Sequence, residues 1–340
     1  MLLDIPNIIA ADDMREYSQM KTQEYTEVTI VGTDDTGLIA NITNLLFERG
    51  INIENLDQAV QDGLFRMTMH VDTAEMVCRP ETLRDDLHEL GEELGVSIQI
   101  RFPAESTAKR LGILVTKESH CLEAILEAKR DGELDAEIGV VIGNHSDLES
   151  IATAHDIPFY DIGDENGTPD EEQLLTLLSE YDVDLVVLAR YMRILGPEVV
   201  FRYERQIINI HPSLLPAFPG AEPYRQALDA GVRIAGVTAH YATTDLDQGP
   251  IITQRAFNVP ADATETDLQR RGQPLEADAL LEAIKLHLSD SIYVHQGTTH
   301  LRNGVDTEAV QLGTPEELHN ANPSVPIDER TEQNVEAETG

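Results

Sequence analysis

Lysine is scarce in this 340-residue chain: Lys21, Lys109, Lys117, Lys129 and Lys285 are all there is among 24 basic side chains, set against 62 acidic ones. The formal charge is −38 and the isoelectric point about 4.4. An acid-coated, lysine-poor surface stays hydrated and self-repelling where salt screens charge within a few ångströms, so the composition reads as adaptation to high salt. The same charge disfavours nucleic acid and anionic membranes as partners, because their phosphates are repelled. Cysteine is also scarce: Cys78 and Cys121 are the only two, too far apart for a C-x-x-C pair, which excludes a disulfide framework and a cysteine zinc site. No H-E-x-x-H or similar ligand spacing occurs, so no metal is expected. No apolar run nears the roughly 18 residues of a membrane span. The opening LLDIPNIIA patch is broken by Asp4 and Pro6, unlike a signal peptide. The expectation is a cytoplasmic protein with no membrane partner.

What is present falls into two blocks between two ends. Residues 1–24 read as an N-terminal extension. In residues 25–102, YTEVTIVG alternates as a strand and LIANITNLLFERG carries apolar residues at helical spacing, with Thr36-Gly37 at its start and Gly50 past its end. Two strands follow, joined through Gln61-Asp62-Gly63, whose Asp-Gly is a hairpin signal. An acidic amphipathic helix (RPETLRDDLHELGEELG) and the strand VSIQIRF close the unit. The order βαββαβ is ferredoxin-like.

A polar linker (103–110) leads to residues 111–303, where apolar strands alternate with amphipathic helices: RLGILVT, AEIGVVIG, IPFYDI, DVDLVVLAR and QIINI. That pattern predicts a Rossmann-like, mostly parallel α/β sheet covered on both faces. Sites in such sheets lie at the carboxyl ends of strands, where Asn144-His145, Arg190 to Arg193 and Asn209 to His211 fall. Residues 276–296 read as a C-terminal helix. Beyond them, residues 304–340 hold nine acids and one base, Arg330, a composition expected to be loosely attached or disordered.

The stretch Asn209–Asp247 carries the chemistry. A short apolar strand delivers Asn209 and His211 and stops at Pro212; a helix and a second strand then lead to an acidic turn holding Asp245 and Asp247. An amide, an imidazole and a carboxylate, each just past a buried strand, suit addition of water or an amine to a carbonyl carbon. Taken singly, each residue has a duller reading: a turn histidine, a strand-end asparagine, solvated loop acids. His240, inside VTAHY, is a packed ring or a helper, and His120, His145 and Arg190 at strand ends are candidates to line a pocket.

Together NIHPSLLPAF, GVRIAGVTAHY and DLDQGPII, in this order, resemble the folate-dependent formyltransferase family, and ARYMRIL resembles the segment with which that family holds the pterin of 10-formyltetrahydrofolate. The N-terminal block resembles the ACT domain, an amino-acid-sensing module that pairs through its sheet. An ACT domain ahead of a formyltransferase domain matches the deformylase branch, over roughly residues 25–302. The resemblance implies Asn209, His211 and Asp247 as catalytic residues, with Asn209 donating to the developing oxyanion and water activation shared between Asp247 and His211. It implies folate contacts at Met192, Arg193, Ile194, Leu195, Gly220, Thr243, Thr244 and Asp245. No cofactor is implied beyond the folate substrate. An effector would sit at Asp34, Asp35, Thr36, Gly37 and Leu38, although a purely structural pairing domain is an equal reading of this block. ACT pairing implies a homo-oligomer.

The acceptor is the remaining choice. Transformylases of this family wrap a ribose phosphate in a glycine- and serine-rich loop after the first strand of the domain. Here that loop reads Thr116-Lys117-Glu118-Ser119-His120-Cys121, without glycine and with an acid that repels phosphate. This favours hydrolysis to formate and tetrahydrofolate, feeding purine biosynthesis and balancing one-carbon pools. Pro212-Ser213-Leu214-Leu215-Pro216 leans toward the alternative, a phosphoribosylglycinamide formyltransferase. A tRNA formyltransferase would need a basic C-terminal domain, and an amino-acid-sensing protein with an inactive catalytic domain would not need the intact trio.

Overall fold

The computed structural model describes residues 25–61, 63–102, 109–295 and 297–301. The expected N-terminal extension, most of the linker, the acidic tail and Asp62 lie outside the described residues. The first block is the expected βαββαβ unit: β1 (Thr26–Thr33), α1 (Leu38–Glu48), β2 (Asn52–Gln61), β3 (Leu64–Asp72), α2 (Pro80–Leu94) and β4 (Val96–Arg101). Its antiparallel sheet has the order β2-β3-β1-β4. Period-2 alternation puts Val28 and Ile30 of β1 and Met67 and Met69 of β3 on one face, fully buried. Against them lie Leu38, Ile42 and Leu46, four apart on α1. Gly37 opens that helix at φ 92°, a left-handed conformation that a Cβ would oppose.

The second block runs β5 (Arg110–Val115), α3 (His120–Arg130), β6 (Glu137–Gly143), α4 (Glu149–Thr153), β7 (Phe159–Asp161), α5 (Glu171–Glu180), β8 (Leu185–Leu188), α6 (Pro197–Arg202), β9 (Ile207–His211), α7 (Pro223–Asp229), β10 (Ile234–Tyr241), β11 (Ile251–Asn258), α8 (Glu265–Leu288), β12 (Ile292–His295) and β13 (Thr298–Leu301). Seven strands form one sheet in the order β11-β10-β9-β8-β5-β6-β7. β5 to β9 are parallel, and β10 and β11 add antiparallel at one edge. Alternate residues feed two cores: Ile113, Val115 and Val187 pack on the side of α3 and α8, and Leu114, Val186 and Leu188 on the side of α5 and α6. The chain leaves β5 toward β6 and β7, then returns to β8 on the other flank, making a switch point between β5 and β8. Crevices at such points bind ligands.

The C-terminal helix differs from the expected 276–296. It starts at Glu265, where Thr264 and Asp267 form a capping box, and Pro274 lies inside it. An interior proline costs about 3 kcal/mol. Tertiary packing outweighs this, because Leu268, Gly272, Glu276, Ala279, Leu280 and Ala283 form one buried stripe running through the proline. The helix ends at Leu288, and β12 and β13, paired antiparallel, follow instead. The two blocks meet where buried Arg66 of β3 pairs with Glu204 and Asp57 and lies over the Phe201 ring.

Candidate active site

Asn209 and His211 are two residues apart on β9, so they project from one face of the sheet. Antiparallel register sets His240 of β10 opposite Asn209 and Thr238 opposite His211. The His240 Nδ1–H donates to the Tyr241 carbonyl at 2.9 Å, which leaves Nε2 to accept from the Asn209 amide nitrogen at 3.2 Å. Burial, the largest influence on this ring, lowers its pKa and keeps it neutral. One Asn209 N–H is thereby held and the other is left to point onward, with the amide orientation fixed by its neighbour.

Asp247 comes from the turn after β10 at φ 55°, a left-handed position that aspartate and asparagine tolerate better than most residues. Its side chain is 3% exposed and its Oδ2 stands 3.4 Å from His211 Nδ1, with Oδ1 3.8 Å from His240 Nε2. The Gly220 N–H donates to Oδ2 at 2.7 Å. His211 donates from Nε2 to the Phe218 carbonyl at 3.0 Å. The loop between β9 and α7 is strapped to β10 through Thr238, whose hydroxyl donates to the Ser213 carbonyl at 2.7 Å and accepts from Leu215 N–H at 3.0 Å. Asn209 and His211 of β9 and Asp247 of the turn after β10 are therefore gathered from two segments by strand register and loop hydrogen bonds.

They line a cavity of about 500 Å³ together with Arg190, Met192, Arg193, Ile194, Leu195, Gly220, His240, Thr243 and Thr244, a size suited to a small-molecule ligand. Met192 and Ile194 are 55% and 69% exposed, an uncovered apolar rim on which a flat ring can lie. Thr116 holds that segment in place: its hydroxyl accepts from Met192 N–H at 2.9 Å and donates to Asn144 Oδ1 at 2.8 Å. Asp245, expected at the folate, is exposed and outside the cavity; its carbonyl accepts from the Thr243 hydroxyl. Of the two acids only Asp247 is buried and borders the cavity. His145 also stands outside, against Gly167. Asp34, Asp35, Thr36 and Gly37 are exposed and Leu38 is buried, and none of the five borders this cavity.

His120 does not border the cavity either; it contacts Glu276 in an ion cluster whose other members, Glu118 and Arg190, form part of the cavity wall. Glu276 of α8 is fully buried. It accepts from the Tyr224 hydroxyl at 2.6 Å, meets His120 Nε2 at 3.0 Å and faces Arg190 Nε at 3.2 Å. Arg190 in turn donates twice to Glu118, at 3.0 and 3.1 Å. Burial pushes the Glu276 carboxyl up, but the His120 bond, the Arg190 charge and the Tyr224 hydroxyl outweigh it and leave the pKa lowered. His120, Cys121 and Glu276 offer ligand atoms within 4.8 Å of one another. The Arg190 guanidinium already stands against Glu276, and burial holds the Cys121 thiol well above its ordinary pKa, so this donor set does not fit a cation. Sequence reasoning missed Glu276 and Tyr224. The available signal was a lone acid on the buried stripe of α8.

Residues 24–101 match the ACT domain family model and residues 109–284 the formyl transferase model. The chain is 41% identical over 269 residues to the formyltetrahydrofolate deformylase of Haemophilus influenzae, covering 78% of this chain and 95% of that one. The Bacillus subtilis formyltetrahydrofolate deformylase is 35% identical over 306 residues, covering 85% of this chain and 100% of its own length. Among solved structures, a formyltetrahydrofolate deformylase from Pseudomonas syringae pv. tomato matches with a TM-score of 0.56 at 31% identity, over 86% of this chain and 99% of that one. A phosphoribosylglycinamide formyltransferase from Anaplasma phagocytophilum matches with a TM-score of 0.55 at 37% identity, over 59% of this chain and 97% of its own.

Proposed function

The chain belongs to the formyltetrahydrofolate deformylases, which join an ACT domain to a formyl transferase domain, and we propose that Asn209, His211 and Asp247 carry its hydrolysis of 10-formyltetrahydrofolate to formate and tetrahydrofolate. The observation that carries this reading is the convergence of an amide, an imidazole and a carboxylate on one cavity rimmed by Met192–Leu195. The pterin lies along that rim and places the N10-formyl carbon over β9. Water attacks that carbon, and charge builds on the formyl oxygen, where the free Asn209 N–H stabilises it. Asp247 and His211 take the proton of the water, with the carboxylate 3.4 Å from the ring supporting the imidazolium. The C–N10 bond then breaks, N10 receives the proton and formate leaves. Water and the folate are the only reactants.

Pure protein is incubated with 10-formyltetrahydrofolate in high salt, with and without glycinamide ribonucleotide. Formate release without the ribonucleotide is the expected result, and turnover only in its presence overturns the hydrolase reading. That second reading is favoured by Pro212-Ser213-Leu214-Leu215-Pro216 and by the structural likeness to phosphoribosylglycinamide formyltransferases. Against it stands Glu118, whose carboxylate occupies the loop where a phosphate would be wrapped. Formate made here supplies purine biosynthesis in the cytoplasm. The ACT domain pairs with a second copy and takes an amino-acid effector at Asp34–Leu38, which light scattering and equilibrium dialysis with glycine or methionine test. A monomer across the working concentration range refutes the pairing.

A further inference from the structure

We propose that the Glu118–Arg190–Glu276 ion cluster is the acceptor-excluding element of this enzyme: it fills the end of the cavity from which an amine would approach the formyl carbon, and leaves water as the nucleophile. This rests on the hydrolase reading above. Glu118 and Arg190 border the same cavity as Asn209 and His211, with Tyr224 beside them, so two members of the cluster face the cavity and fully buried Glu276 anchors them from behind. Arg190 sits at φ 61°, a left-handed position where a bulky residue is strained and glycine is at ease. The side chain is nonetheless held there by three contacts, two to Glu118 and one to Glu276. Glu276, fully buried, is locked in turn by His120 and Tyr224. A guanidinium fixed between two carboxylates cannot swing aside without leaving a buried charge unpaired, so this part of the wall is rigid. It needs no phosphate loop to be absent in order to act: it closes the approach by occupancy.

In the native enzyme the formyl carbon passes to water. Where the wall is opened, the nitrogen of a primary amine attacks the same carbon, the C–N10 bond breaks, N10 takes the proton that the amine loses, and the products are an N-formyl amine and tetrahydrofolate. The test uses the full chain and two variants. Arg190→Gly removes the side chain at a backbone position glycine prefers. Arg190→Gly with Glu276→Gln also removes the buried charge that the first change strands, so that one variant keeps a satisfied interior.

Each protein is given 10-formyltetrahydrofolate and glycinamide, and formate and N-formylglycinamide are counted by mass spectrometry per tetrahydrofolate formed. The native enzyme releases formate, and its failure to do so without amine would count against the hydrolase reading alone. In the variants the N-formyl share rises at least tenfold over native. A share equal to native in a variant that still forms tetrahydrofolate overturns the proposal. Binding supplies a readout independent of turnover. The Kd of a folate bearing a glycinamide arm at N10, taken relative to plain folate, falls at least tenfold in both variants. An unchanged ratio also overturns it.

Discussion

Replacing Asp247 with asparagine separates chemistry from folding more cleanly than any other single change at the site. The backbone at φ 55° suits asparagine at least as well as aspartate, and an amide oxygen can still accept from Gly220 N–H. Stability should therefore fall by only about 1 kcal/mol, the difference between a charged and a neutral acceptor, which lowers Tm by about 2–4 °C. Catalysis loses far more. At 3.4 Å and an effective dielectric of about 20, a carboxylate and an imidazolium attract by about 5 kcal/mol. Most of that interaction appears only when His211 takes a proton on the way to the transition state, so it bears on kcat. The loss of a proton acceptor, worth about 10²–10⁴, is the same carboxylate seen another way and does not add to this, so the expected fall in kcat is roughly 10³–10⁴-fold. The assay is formate release from 10-formyltetrahydrofolate, with thermal unfolding and folate binding on the same preparations. A variant within tenfold of the native kcat refutes the role given to Asp247, and a collapse of Tm shows that the residue is structural.

Asn209→Ala removes the free N–H from the formyl oxygen and should lower kcat by about 10²–10³, with folate KM within a few-fold; a rise in KM alone would move Asn209 from the oxyanion to substrate binding. Desolvation, with a smaller push from Lys109, holds the His287 ring at a pKa of about 4, below the ordinary value near 6.5. The unfolded chain therefore binds more protons between those values. This stability is complete above about pH 6.5 and is lost as pH falls toward 4, on the order of 3 kcal/mol. His287→Gln should flatten that acid limb of the Tm profile, and an identical slope in the variant would refute the assignment. With a formal charge of −38, Tm and formate release should both rise between ~0.1 M and ~3 M KCl as the Debye length shrinks from about 10 Å to under 3 Å. A flat profile would sink the reading of the composition as salt adaptation.

Periodicity and turn residues in the sequence determine much of this protein. The alternation in β1 and the four-residue spacing in α1 are local consequences of backbone geometry, and they announced the βαββαβ unit. The unbroken apolar runs of β5 to β9 likewise announced a sheet covered on both faces. Asn209 and His211 were legible because they end such a run. Other features depended on partners distant in the chain. Pro274 reads as a helix boundary, yet burial of a stripe on either side of it carries α8 through. Asp245 and Asp247 are indistinguishable as letters, and only the turn geometry selects the one that meets His211. His240 acquires a role through antiparallel register with Asn209, and Glu276 through the meeting of α8, α7 and the loop after β8. Local propensity acts over a few residues and is written in the sequence. The pairing of buried charges and the wall of the cavity arise where segments far apart in the chain come together, so only the tertiary structure could decide them.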